Sequence, residues 1–503
     1  MSGCSRPIVT PPHLPGAFGR FGPQLGEGSG SSRGDFADRE RRPWSGAVNA
    51  RASTARIAGL PQRVLRRSPA LVALGIFLSV IVLFSALLAL PVATADGTRT
   101  PLHDAVFTAV SAMTVTGLVT VDTASHWSFF GQVVILAGIQ VGGLGIVTIA
   151  LLLSRAVTHK LGVRGRIMAQ QGIGTSKLGE VQSLLKIVVL TTVIVEAALA
   201  LVLVPAFIVR EGSVASGTWH GIFYAVSAFN NAGFVTHEGG LQQFGTDPFI
   251  LVPLMAGVFI GSLGFPVFMI LMVHKTHVRR WNLHTKLTLS VTTGLLVFGA
   301  IVWTLLEWGN TATIGDMAPG DKIVHGLFAS TMMRSGGFAL VDTGASHPIT
   351  LLASDALMFV GGGSASTAGG IKVTTIALLF LAIAAEGKGD KNVRVFRRTV
   401  PEAALRVAIS VIFLGATLVL AATALIMTVS DEPLDRILFE VISAFATCGL
   451  SVGLSAELDP FGKYVLAALM FAGRVGPIGL ASALAVRRRT LLYDYPEDRP
   501  VIG

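Results

Sequence analysis

The sequence predicts an all-α polytopic membrane protein, in which four pseudo-repeats of span, re-entrant pore helix, filter loop and span surround one central pore. Three observations predict it. Of 503 residues, 51% are hydrophobic and only 14% charged, whereas ordinary soluble domains carry about 25% charge. Apolar stretches of about 20 residues, each long enough to cross ~30 Å of hydrocarbon, recur from Leu71 to Val486. A glycine-centred pattern appears four times between them.

Residues 1–68 hold eleven Arg, no Lys and four acids, and are rich in Gly, Pro and Ser without an apolar period. They read as a disordered basic cytoplasmic tail. They contain no early apolar core of a cleaved signal peptide. This tail contributes most of the net charge of +10, so the basic balance does not indicate a nucleic-acid partner. Cys4 and Cys448 stand at opposite ends of the chain, which supplies no disulfide framework.

Eight spans follow, at 71–93, 131–153, 183–209, 248–273, 287–308, 353–385, 407–429 and 461–486. Between the members of each pair lie shorter segments, near 101–116, 218–232, 321–336 and 433–448. These are too short to cross and are expected as re-entrant helices, which a bilayer tolerates only when protein buries them. The repeats are thus expected at 69–160, 183–275, 285–390 and 404–489, with a cytoplasmic C-terminus at 490–503.

Charge tests the topology independently. The expected inner segments 154–182, 274–286, 386–406 and 487–489 carry 18 Lys plus Arg, and the outer segments only 5, together with 15 Asp plus Glu. The positive-inside rule then places both termini in the cytoplasm. An acidic outer face concentrates cations.

Aligned on their glycines, the short segments read Ser111-Ala-Met-Thr-Val115-Thr116-Gly117, Ser227-Ala-Phe-Asn-Asn231-Ala232-Gly233, Thr331-Met-Met-Arg-Ser335-Gly336-Gly337 and Ser443-Ala-Phe-Ala-Thr447-Cys448-Gly449. Each has a hydroxyl six positions before the glycine and Leu or Phe after it. Phe107, Phe223, Leu327 and Phe439 extend the match ten positions upstream. A second glycine, at Gly142, Gly261, Gly361 and Gly473, follows after 25, 28, 24 and 24 residues. Four such units direct four short helices, by their C-terminal dipole ends, at a common centre where a cation is stabilised. The backbone before each glycine supplies carbonyls, and glycine permits the positive φ that turns them inward. The candidate filter is therefore Val115, Thr116 and Gly117; Asn231, Ala232 and Gly233; Ser335, Gly336 and Gly337; and Thr447, Cys448 and Gly449.

Three further features lie at membrane depth. Arg474 falls near the middle of the last span, where a charge is costly and marks a functional position. The run Gly361, Gly362, Gly363, Ser364, Ala365, Ser366, Thr367, Ala368, Gly369, Gly370 has poor helix propensity and is expected to unwind, lining a cavity or buried in protein. It is no phosphate loop, because Ile371 separates Gly370 from Lys372. Glu196, in mid-span, is either a coupling group or a carboxylate hydrogen-bonded within the bundle. No histidine pair has zinc-ligand spacing in a helix beyond chance, so no structural metal is expected. No motif of a membrane enzyme is found.

On these motifs the chain, over about 69–490, resembles the ion-translocating subunit of the Trk/Ktr/HKT superfamily of potassium uptake proteins, and its eight spans resemble the Ktr type. The resemblance implies K⁺ preference from four filter glycines, since members with serine at the first position favour Na⁺. The third filter departs from the usual Arg-Thr-Ala-Gly-Phe, reading Arg334-Ser-Gly-Gly337-Phe. The resemblance implies that 361–370, followed by Lys372, is an intramembrane gate, and that Arg474 is an electrostatic barrier in the pore. It also implies a homodimer in the cytoplasmic membrane with a cytosolic ring of nucleotide-binding subunits. No cofactor is expected; K⁺ is the transported ligand, and Na⁺ a candidate activator or coupling ion. A sodium-permeable or poorly selective pathway on the same fold is the alternative.

Overall fold

The computed structural model describes residues 69–160, 181–390 and 392–476. The expected tail 1–68, the basic stretch 161–180 and the end of the last span with the C-terminus, 477–503, lie outside the described residues.

The chain is almost entirely helical. Helix α1 (Pro69–Leu88) leads through a 3-10 turn to the short α2 (Leu102–Thr114) and the long α3 (Phe129–Lys160). Next come α4 (Val181–Glu211), the short α5 (Val214–Asn230), then α6 (Pro248–Leu263) and α7 (Phe265–His274). The third group is α8 (Leu283–Glu307), the short α9 (Pro319–Met333), α10 (Pro348–Phe359) and α11 (Val373–Gly387). A two-stranded hairpin (Arg394–Val395 with Arg398–Thr399) precedes α12 (Glu402–Ile426), the short α13 (Leu434–Ala446), the single-turn α14 (Leu454–Glu457) and α15 (Pro460–Val475).

Local chemistry sets the boundaries. Proline occupies the first turn of α6, α9, α10 and α15, where its missing N–H costs no bond. Ser213, Asp247, Asn282 and Asp459 cap α5, α6, α8 and α15 by accepting from backbone N–H groups. The first span stops at Leu88 rather than at 93, because Pro91 opens a 3-10 turn. The short helices end two or three residues before their expected limits, each in a residue that leaves the helical region.

Two expected spans are not continuous helices. The span over 248–273 breaks at Gly264 (φ 90°), and α7 leaves α6 at 98°. The span over 353–385 is helical only to Phe359 and again from Val373. Among the described residues, α8, α12 and the Val188–Glu211 part of α4 are each long and apolar enough to cross a membrane, and the bent α6–α7 pair makes a fourth crossing if taken together. Their outward faces carry large apolar side chains in the open: Leu201, Val209, Leu305, Phe413 and Leu420 are each two-thirds or more exposed. Such a surface suits lipid rather than water.

Each short helix packs against the long helices that flank it in sequence. It also meets a helix of another group: α3 lies on α5, α6 on α9, α10 on α13, and α15 back on α2. The packing therefore closes on itself. Small residues allow the close approach; a methyl built on Gly221 of α5 would sit 2.6 Å from the Val204 Cα of α4, and one on Gly326 of α9 1.7 Å from the Thr304 hydroxyl of α8.

The closing contact holds a buried ion pair, Lys463 Nζ of α15 to Asp104 Oδ1 of α2 at 2.8 Å. Removing one partner strands a buried charge. Lys463→Met is expected to destabilise the protein by about 3–5 kcal/mol, while Lys463→Met with Asp104→Leu recovers most of that loss. Thermal unfolding of the purified protein in detergent checks this; equal losses in the single and double variants would refute a charge-based explanation.

Candidate functional site

The four short helices end alike. Val115 (φ 56°), Asn231 (φ 62°) and Thr447 (φ 48°) are left-handed caps, and Ser335 has φ 96°. Two residues later Gly117, Gly233, Gly337 and Gly449 again have positive φ, between 69° and 93°, and the intervening residues do not. Alternating handedness of this kind turns successive carbonyls toward one side of a strand. Left-handed backbone is unfavourable for β-branched Val115 and Thr447, so the surrounding structure must impose it.

The four glycines form a closed circuit. A methyl built on Gly117 would lie 2.1 Å from the carbonyl oxygen of Ala232, on Gly233 3.0 Å from that of Gly336, on Gly337 2.7 Å from that of Cys448, and on Gly449 2.1 Å from that of Thr116. Each glycine thus abuts the carbonyl that immediately precedes the next one. Eight of the twelve candidate filter residues, Thr116, Gly117, Ala232, Gly233, Gly336, Gly337, Cys448 and Gly449, meet in this circuit.

The hydroxyls six positions upstream have a role the sequence did not reveal. Ser111 and Ser443 accept from the N–H of Gly117 and Gly449 at 3.0 and 3.1 Å. The second and third turns depart. Ser227 donates to the Phe234 carbonyl. Thr331 bonds back to its own helix, and the N–H groups of Gly336 and Gly337 both reach the Met332 carbonyl. The Ser335 hydroxyl donates to the Thr447 carbonyl of the fourth strand at 3.0 Å.

The second glycines press against the same helix ends. Methyl groups on Gly142, Gly261 and Gly473 would lie 1.8–2.1 Å from the carbonyls of Met113, Phe229 and Phe445. Gly361 differs: its close neighbour is Gly369, within its own loop.

Residues 360–372 are non-helical between α10 and α11, with a parallel bridge from Val360 to Ile371. Thr367 is the junction of this loop. Its N–H donates to Gly261, its hydroxyl to the Phe229 carbonyl (3.3 Å) and the Asn231 side chain (3.1 Å), and its carbonyl accepts from Arg474. Arg474 also reaches the Gly142 carbonyl at 3.5 Å. Lys372 Nζ donates to Ala368 at 2.7 Å and more weakly to Gly369. Arg334, which opens the third filter motif, is buried and donates to the carbonyls of Thr292 and Gly361. Among the described residues, none of these three cations has a carboxylate partner.

Glu196 sits in an amide cluster: Gln140 and Asn230 donate to its two oxygens at 3.2 and 2.9 Å, and Asn230 also donates to Gln140. This joins α3, α4 and α5, as a hydrogen-bonded structural carboxylate would.

The acidic outer segments are less available than composition suggests. Asp104 is paired with Lys463, Asp247 with Arg210 at 2.6 Å, and the buried Glu440 accepts from Ser451, Ser455 and the N–H groups of Val452 and Ser455. Asp96, Asp122, Glu238, Asp316, Asp342, Asp431, Glu457 and Asp459 remain exposed. Glu211, on the same side, accepts from His220 and His237; burial, reinforced by neighbouring His220, pushes the His237 imidazole down to about 4, so it is neutral at pH 7.

A mostly helical chain with lipid-suited outer faces and a closed circuit of backbone turns has the architecture of a membrane transporter. Comparison with known proteins gives the particular family. The TrkH cation transport protein family model matches residues 76–489. The chain is 36% identical to Ktr system potassium uptake protein B of Vibrio alginolyticus, over 85% of this chain and 93% of that one. It is 34% identical to the Bacillus subtilis protein of that name, over 86% and 96%. To the potassium/sodium uptake protein NtpJ of Enterococcus hirae it is 35% identical, over 88% and 99%. The crystal structure of the potassium transporter TrkH from Vibrio parahaemolyticus shares the fold, with a TM-score of 0.65 at 18% identity over 81% of this chain and 84% of that one. The chain belongs to the TrkH family of cation transport proteins.

The hydroxyl bonds yield a comparison between turns. Ser443→Ala deprives the buried Gly449 N–H of its acceptor and is expected to cost about 1–3 kcal/mol. Thr331→Ala removes only a bond within its helix and is expected to cost less. Melting temperatures of the two variants in detergent check the order.

Proposed function

We propose that the protein takes up potassium selectively across the cytoplasmic membrane, through a filter formed by Val115–Gly117, Asn231–Gly233, Ser335–Gly337 and Thr447–Gly449. The observation that carries the reading is the closed circuit of glycines, each against its neighbour's carbonyl. Carbonyls set around one centre replace the hydration shell of an ion, and the potassium uptake named for the Ktr relatives supports K⁺ as the substrate.

In this mechanism K⁺ arrives from the acidic face, sheds water at the four strands, and passes inward when residues 361–370 move aside. Thr367 ties that loop to the second strand and to Arg474, and on this reading the gate's release breaks those few hydrogen bonds. Arg474, held among the described residues only by carbonyls, opposes a cation in the pathway and is the barrier. Membrane potential supplies about 2.3 kcal/mol per charge per 100 mV. Both termini are cytoplasmic, on the charge asymmetry of the loops. The active assembly is a homodimer on a cytosolic ring of nucleotide-binding subunits, a reading that rests on family resemblance.

One observation favours a second reading, a sodium-permeable pathway: the third turn is bonded differently and Ser335 engages the Thr447 carbonyl, while one relative is named for potassium and sodium uptake. Uptake into proteoliposomes of K⁺, Rb⁺ and Na⁺ under an imposed potential, with and without external Na⁺, separates the two. K⁺ and Rb⁺ uptake exceeding Na⁺ is expected; equal or Na⁺-dominated flux refutes K⁺ selectivity.

Two variants test the parts. Gly117→Ser introduces a side chain where a methyl already lies 2.1 Å from Ala232, and the K⁺ over Na⁺ ratio is expected to fall about tenfold, or about 1.4 kcal/mol. Unchanged selectivity in a folded variant would remove the filter assignment. Deleting part of 361–370 is expected to raise flux severalfold, and unaltered flux would remove the gate.

A further inference from the structure

We propose that Glu211, His220 and His237 form a binding site for one divalent transition-metal ion of the zinc class, on the side where the chain leaves the second filter strand. Among the described residues, these three alone bring His, Cys, Asp or Glu ligand atoms together in a group of three or more, within 4.8 Å of one another. Glu211 Oε1 is 2.8 Å from His220 Nδ1 and 3.1 Å from His237 Nε2. A tetrahedral zinc ion, with bonds of about 2.0–2.1 Å, holds its ligand atoms about 3.3 Å apart, so the two separations from Glu211 need to open only slightly, while the two imidazole nitrogens already lie within 4.8 Å of each other.

The donor set suits the ion. Two imidazoles and one carboxylate are zinc ligands, and they leave a fourth position for water. The supporting contacts are those metal-bound groups use: the Tyr224 hydroxyl lies 2.7 Å from His237 Nδ1, and Ser216 donates to the other oxygen of Glu211. His237 is fixed in an aromatic box, stacked on Phe207 at 5.4 Å and Tyr224 at 5.5 Å, with the Phe244 edge at 4.9 Å. The ligand side chains are 10–17% exposed, shielded yet open to solvent.

The competing arrangement is a metal-free network, in which both imidazoles donate to one carboxylate oxygen. On metal binding each imidazole shifts tautomer: the proton leaves His220 Nδ1 and His237 Nε2 to water and one is taken up from water at the other ring nitrogen. Both rings therefore stay neutral and bind through a lone pair, and His237 Nδ1–H donates to the Tyr224 hydroxyl. The ligands come from three places, the end of α4, the body of α5 and the segment four residues beyond Gly233, so spacing along the sequence conceals them. An ion here staples the outer end of the second strand to its supporting helices. The site stands whether or not the filter reading holds.

The test uses the full-length protein in detergent, stripped of metal and freed of any affinity tag, titrated with Zn²⁺ and read by calorimetry and zinc X-ray absorption. About one Zn²⁺ per chain with two imidazoles in its shell is expected. His237→Gln or His220→Gln should weaken binding about 100-fold, and Tyr224→Phe about tenfold, as for loss of an outer-shell partner. Wild-type binding no tighter than that of the His220→Gln/His237→Gln double variant would overturn the site. Should the variants not fold, the wild-type spectrum decides: a one-equivalent shell without two imidazoles overturns the proposal, and one with them supports it.

Discussion

The structure depends on the absence of four side chains. Gly117, Gly233, Gly337 and Gly449 each stand where a Cβ would enter the van der Waals radius of a neighbouring carbonyl or backbone carbon. Because the circuit closes, displacement of any one glycine is felt by two neighbours. The short helices, their left-handed caps and the glycines of α3, α6 and α15 that press on them all hold this approach. The strain of left-handed Val115 and Thr447 is small beside the packing that enforces it.

Electrostatics around the circuit is one-sided. Arg334, Lys372 and Arg474 donate to carbonyls rather than to carboxylates, and the Nε of both arginines is buried without a partner among the described residues. Carbonyl dipoles offset desolvation without cancelling net charge, so a positive field persists around the non-helical loop. On the proposed reading, the turns attract cations while this neighbouring region repels them. Thr367 links the two regions directly.

On the other face, carboxylates are spent on architecture. Asp104 closes α15 onto α2, Glu211 gathers two histidines, and Glu440 organises the loop after the fourth turn. Counting acids therefore overstates the charge offered to an approaching ion, although eight of them remain exposed.

The sequence by itself determined the helical membrane class, the short helices, the glycine turns and the unwinding of 361–370, because hydropathy, spacing and the poor helix propensity of small residues are local properties. It did not determine the 98° break at Gly264, since one glycine in an apolar run reads as helix until packing tests it. Nor could it show that Ser111 and Ser443 hold glycine N–H groups while Thr331 does not, that Lys463 meets Asp104, or that Glu211, His220 and His237 converge. Those contacts join residues up to 359 positions apart. Only the closing of the helices on one another decides them, because hydrogen bonds and ion pairs act over a few ångströms and leave no periodic trace along the chain.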